Sequence, residues 1–225
     1  ASPRCARSRK PSPAAAAQQT HDATVTSNAV PAPIHVVFAL LPGSLVLDWA
    51  GPAEALRIAN QVLQAQGQPA RFVLHFVSPT HEAVTSVGVA LAGLAPLPAT
   101  LPAPAWVVLV GMPGPAIGVE SHETRTLLHW LRGLRLTRGQ LELVTVCAGA
   151  VLAAHAGLLA GRRATTHHQH LNELAQVEPR CDVVANRVFV ADGPLHSSAG
   201  VTTGIDLLLY RIADTCGPAV AAQVA

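Results

Sequence analysis

One cysteine in this chain, Cys147, stands where its sulfur could act as a nucleophile or a redox sensor. The residues before it, Leu141-Glu142-Leu143-Val144-Thr145-Val146, suit a buried strand, and Ala148 to Leu159 suit a buried helix. The thiol therefore falls in the turn between them. Small residues at 148–150 let the backbone bend sharply. A helix N-terminus offers unpaired N–H groups and a positive dipole end, both of which favour thiolate. The same strand-to-helix elbow exposes the nucleophile in hydrolases of other folds. A small buried core residue is the other use of a cysteine; the elbow position argues for a special role.

Asp48 lies just before Gly51-Pro52. A short acid there suits either a cap for a helix beginning near Gly51 or a site carboxylate, and the residues alone leave both open. His167, His168 and His170 raise the question of a metal, but zinc ligands come from separated segments and no cysteine or acid stands at matching spacing. Neither a metal nor a cofactor is expected. His155 reads as a core histidine, Cys181 and Cys216 read as structural, and Cys5 has nothing near it to activate it.

Positioning these residues takes an alternating β/α chain. Short β-branched runs at Ile34–Leu40, Arg71–Ser78, Trp106–Val110, Leu141–Val146 and Arg187–Val190 read as strands, the first four suited to a parallel sheet. Helical patterns cover Gly51–Gln66, with Pro52 at its start, Ser121–Leu136, Ala148–Leu159, His168–Gln176 and Val201–Cys216. Right-handed crossovers place helices on both faces of the sheet and ligands beyond the carboxyl ends of its strands. The expected fold is α/β: a flavodoxin-like three-layer sandwich around a mostly parallel sheet.

With 50% hydrophobic and 12% charged residues, the chain can bury one large core, expected as a single domain over residues 34–225. Residues 1–33, rich in Ala and Pro, read as a flexible tail. Arg4, Arg7, Arg9 and Lys10 against Asp22 put all the excess positive charge in that tail, and the rest of the chain is one unit negative within an overall +2. Such a body lacks the cationic footprint of a nucleic-acid binder, so small molecules or protein surfaces are the expected partners. Pro and Gly break the long apolar stretches, the tail has no apolar signal core, and the cysteines follow neither zinc-cage nor disulfide spacing. A cytoplasmic protein without a membrane partner is expected.

The segments Thr145–Ala150 and Gly157–His168, together with Leu47-Asp48-Trp49-Ala50-Gly51-Pro52, Leu109–Gly114, Asn186–Pro194 and Ser198–Asp206, resemble the ThiJ/PfpI family of the class I glutamine amidotransferase-like superfamily. The resemblance runs in order over residues 34–225. Ala164-Thr165-Thr166-His167-His168, Ser198–Asp206 and the final Gly217–Ala225 are similar to the N-terminal domains of GlxA-type transcriptional regulators of the AraC family. In those regulators a helix-turn-helix DNA-binding region follows, and it is absent from this chain.

The resemblance implies that Cys147 is the reactive cysteine, Asp48 its acidic partner and His167 a histidine approaching the thiol. Backbone N–H groups of Ala148 and of Gly111 or Met112 take the place of an oxyanion hole. A protonated Asp48 would donate to thiolate, provided burial raises its pKa. Proteases and amidotransferases of the superfamily place a histidine after the cysteine, and isocyanide hydratases a threonine; here that position is Ala148. A conventional protease is therefore not expected.

Two functions are expected from the resemblance. One is a ligand- or redox-sensing, dimerising domain of an AraC-family regulator, with a small-molecule ligand, a homodimer, and DNA reached only through a C-terminal region not in this chain. The alternative is a stand-alone cysteine-dependent hydratase or hydrolase acting on a small electrophile, isocyanide hydratase-like or glyoxalase-like.

Overall fold

Uninterrupted apolar runs build the middle of the sheet, where strands are covered on both faces. A computed structural model describes Ala1 and residues 31–225; the tail expected over 1–33 lies almost wholly outside the described residues, as does Cys5. In chain order the elements are β1 (Ile34–Ala39), α1 (Val46–Ala65), β2 (Phe72–Val77), β3 (Glu82–Val84), β4 (Ala90–Ala92), β5 (Ala105–Leu109), α2 (His122–Arg132), β6 (Leu141–Val146) and α3 (Gly149–His155). Then come β7 (Arg163–Ala164), a 3₁₀ turn (His168–His170), α4 (Leu171–Val177), β8 (Asp182–Val183), β9 (Phe189–Asp192), β10 (Leu195–Ser198), α5 (Thr203–Cys216) and α6 (Pro218–Val224).

The six-stranded sheet runs β2-β1-β5-β6-β10-β9. It is parallel apart from β9, which pairs antiparallel with β10. β5, buried along its whole length, lies near the centre. Helices α1, α5 and α6 pack on one another, and α3 packs on α2 and α4. Alternate residues of β6 look to these two groups: Glu142 pairs with Arg211 of α5, whereas Leu141 lines a cleft with Trp130 of α2. This is the expected layered α/β architecture.

The short strands β3, β4, β7 and β8 and helix α6 are additional to the sequence reading, α3 ends at His155 rather than Leu159, and two further differences reshape the layers. α1 begins at Val46 rather than Gly51, so Asp48 lies in its first turn and Pro52 sits inside it. The proline costs one bond, because it has no N–H for the Asp48 carbonyl one turn back. Second, the hairpin β9–β10 replaces the single strand expected at Arg187–Val190. Its inner member, Leu195-His196-Ser197-Ser198, is fully buried yet has no β-branched residue to mark it.

Under α5, a buried ionic group joins the layers. Arg211 pairs with Glu142, lies 2.9 Å from His196 Nε2 and stacks over Trp106 at 4.5 Å. Burial opposes ionisation of Glu142, but hydrogen bonds from His196 and Gly139 and the Arg211 charge together hold its pKa down to about 2.

Candidate functional site

Cys147 follows the last residue of β6 with a φ of 55°, a left-handed conformation that residues other than glycine seldom adopt. The elbow is tight because α3 starts against β5: a Cβ at Gly149 would stand 2.3 Å from the Leu109 carbonyl oxygen. Thr166 braces the turn from the other side, its hydroxyl donating to the Cys147 carbonyl at 2.8 Å.

Asp48 reaches the same point from α1. Its Oδ2 accepts the N–H of Gly111 at 3.1 Å. A Cβ placed on Gly111 would lie 2.9 Å from that oxygen, 3.1 Å from Cys147 Cβ and 3.1 Å from the Ala148 nitrogen. Asp48, Gly111, Cys147 and Ala148 thus converge, and only a glycine fits at 111. Asp48 is 1% exposed and Cys147 4%. Asp48 Oδ1 is buried without a conventional hydrogen-bond partner, and the thiol is the polar group beside the carboxyl.

Burial dominates the electrostatics. It lifts the Asp48 pKa to about 6, against hydrogen bonds from Gly111 and the thiol that lower it. Burial and then the Asp48 charge push Cys147 up to about 12, against the amides of Ala148 and Val201, which reach the sulfur and lower it. Between those two values the pair holds a single proton. The thiolate expected from the helix terminus is corrected: α3 has 7 residues, and its amides are outweighed by desolvation and a neighbouring carboxylate.

The expected oxyanion donors are differently employed. The Gly111 N–H is taken by Asp48 and that of Ala148 faces the sulfur. The Met112 N–H donates to no backbone carbonyl among the described residues. His167 stands apart from the convergence: its Nδ1 accepts from the Gln169 N–H at 3.4 Å, and no hydrogen bond joins it to Cys147 among the described residues. Its ring packs so closely on Gly200 that a Cβ there would lie 2.5 Å from Cδ2. Burial and then the neighbouring His168 and His170 lower its pKa, favouring neutral imidazole. The rings of His167 and His168 lie 4.2 Å apart, and no group of three ligating side chains arranged for a metal occurs among the described residues.

His167 and Val201 instead line an open cleft of about 430 Å³, which neither Cys147 nor Asp48 lines. Val201, at a φ of 39°, separates this cleft from the sulfur its amide touches. Val201, Thr166 and Glu173 carry no chemical signal of their own in the sequence, although the first two lie inside the family-like motifs. Glu173 accepts the Ile117 N–H at 2.8 Å and meets His170 Nδ1 at 2.6 Å, tying the loop after β5 to the histidine turn. No helix among the described residues is long and apolar enough to cross a membrane.

An elbow cysteine paired with a buried acid on the first helix, beyond the carboxyl ends of a parallel sheet, agrees with a match to the DJ-1/PfpI family over residues 46–213. The chain belongs to the DJ-1/PfpI family. It is 32% identical over 207 residues to the HTH-type transcriptional regulator CdhR of Pseudomonas aeruginosa, a match covering 83% of this chain and 52% of that protein. The chain thus spans about half the length of that regulator. It is also 39% identical over 88 residues to the isonitrile hydratase of Pseudomonas putida, covering 37% of this chain and 36% of that enzyme. Among solved structures, an AraC family transcriptional regulator from Pseudomonas putida shares the DJ-1/PfpI fold with a TM-score of 0.68 and 20% identity, over 85% of this chain and 97% of that one. A THiJ/PfpI family protein from Pseudomonas syringae does so with a TM-score of 0.69 and 22% identity, over 92% and 81%.

Proposed function

We propose that this domain senses a small molecule on behalf of an AraC-family transcriptional regulator and forms a homodimer. DNA contact, on this reading, belongs to a different part of the regulator. The observation that carries the proposal is a sealed, protonated Cys147 beside an open cleft, in a chain similar over 207 residues to a transcriptional regulator. A thiol at a pKa of about 12 is a poor nucleophile at neutral pH, and the Gly111 amide that would steady an oxyanion is already engaged. Recognition suits this geometry better than turnover. Thermal denaturation against a metabolite panel tests it: a ligand at 100 times its Kd should stabilise the domain by about 2.7 kcal/mol. A panel with no stabilising member would count against the sensor.

The hydratase alternative draws support from the 88-residue match to isonitrile hydratase and from the closeness of Asp48 to Cys147. It requires isonitrile turnover that disappears in Cys147→Ala; turnover retained by that variant would remove it.

A further inference from the structure

The cleft beside His167 has a chemical bias. None of the residues lining it is acidic, while Arg187, His167 and His168 all line it. Arg187 pairs with no carboxylate among the described residues, a state it shares with Arg71, Arg132, Arg135 and Arg138, but of these five it alone lines this cleft. Asn186, at a φ of 57°, turns the loop that carries it.

A second donor is buried. Thr165 is 1% exposed and lines the cleft, held in place by its backbone N–H, which donates to Ser197 Oγ at 2.9 Å. The first turn of α5, a helix of 14 residues, opens on the same space through Thr203, and its N-cap Thr202 supplies no side-chain cap. Beside the polar Thr166 and Asn186, the wall carries an aliphatic patch of Leu171, Val188 and Val201, the latter two each 50% exposed. A volume of about 430 Å³ suits a small metabolite.

We propose that this cleft takes the carboxylate of a small aliphatic acid, with the Arg187 guanidinium and the Thr165 hydroxyl on the carboxylate and the chain of the acid on Leu171, Val188 and Val201. The assignment deepens the sensor reading and rests on it. A planar guanidinium matches a carboxylate through two parallel hydrogen bonds, and a cationic ligand would meet Arg187 as a like charge.

Chemical-shift titration of the isotope-labelled 225-residue chain with butyrate, n-butylamine, n-butanol and inorganic phosphate at equal ionic strength tests this. Butyrate should bind with saturable shifts at Thr165, Arg187 and Thr203, whereas the amine and the alcohol should not. Arg187→Gln should raise the butyrate Kd by about ten-fold or more, the scale of one lost charged hydrogen bond. Thr165→Val, which keeps the shape, should raise it several-fold. Equal binding of butylamine or butanol, or an unchanged Kd in Arg187→Gln, overturns the assignment. Phosphate preferred over butyrate at the same residues also overturns it, as an inorganic oxyanion site. If butyrate fails while a member of the metabolite panel binds, the carboxylate assignment falls and the sensor stands. If nothing in either set binds, both fall.

Discussion

Replacing Asp48 with asparagine should stabilise the protein at pH 8 and leave it nearly unchanged at pH 4. Asp48 has a folded pKa of about 6 against an ordinary 3.8, so the fold favours its protonated form. That contribution is complete below about pH 3.8 and is lost as pH rises through about 6. At 1.36 kcal/mol for each pH unit, the interval corresponds to about 3 kcal/mol. Because Asp48 is 1% exposed, solvent screens little of this. Asparagine keeps the shape and an oxygen for the Gly111 N–H but carries no charge to desolvate. Its advantage should therefore grow from near zero at pH 4 to about 3 kcal/mol at pH 8, or roughly 6–12 °C in Tm for a domain of this size. Urea denaturation of both proteins across that range measures the difference, in which other titrating groups cancel. A difference that does not change with pH would refute the claim that an ionised, desolvated Asp48 strains the fold at neutral pH.

Glu142→Gln should destabilise the protein by about 3–5 kcal/mol at pH 7, because it leaves Arg211 buried without its counter-charge. Glu142 has a lowered pKa of about 2, so its stabilisation is present above pH 4.5 and lost as pH falls towards 2; denaturation at pH 3 should show a smaller penalty. The double variant Glu142→Leu with Arg211→Met should cost less than Glu142→Gln alone, which a denaturation cycle checks. Gly149→Ala should cost about 3 kcal/mol or more, or abolish soluble expression, since its Cβ would lie 2.3 Å from a backbone oxygen of β5 that cannot move aside. An unperturbed melting curve for that variant would contradict the tight elbow.

The layered fold was legible where apolar runs were long: β6 occupies Leu141–Val146 as read, and Cys147 lies at the turn that the small residues after it require. Reading Pro52 as a helix start misplaced the beginning of α1, since nothing local distinguishes a proline inside a helix from one at its first position. Glu142 inside an apolar strand pattern gave no warning of its partner, because Arg211 is 69 positions away. The thiolate expectation failed for a related reason. A helix terminus is visible in sequence, whereas the burial of Cys147 and the carboxylate brought from α1 depend on long-range packing. The motifs around Asp48, Gly111 and Cys147 did mark residues that meet in space; the cleft at His167 depends on loops that no local pattern specifies.

Alkylation of Cys147 by iodoacetamide, followed by peptide mapping across pH 6 to 11, probes the sealed one-proton pair directly. A rise in pKa from 9.0 to about 12 lowers the thiolate fraction about 1000-fold, so native Cys147 at pH 7.5 should react at least that much more slowly than in urea, with reactivity rising about ten-fold per pH unit and reaching no plateau by pH 11. Labelling in the native protein at the unfolded rate, with a midpoint below pH 7, would mean an exposed thiolate nucleophile and would overturn the reading of this site as a place of recognition.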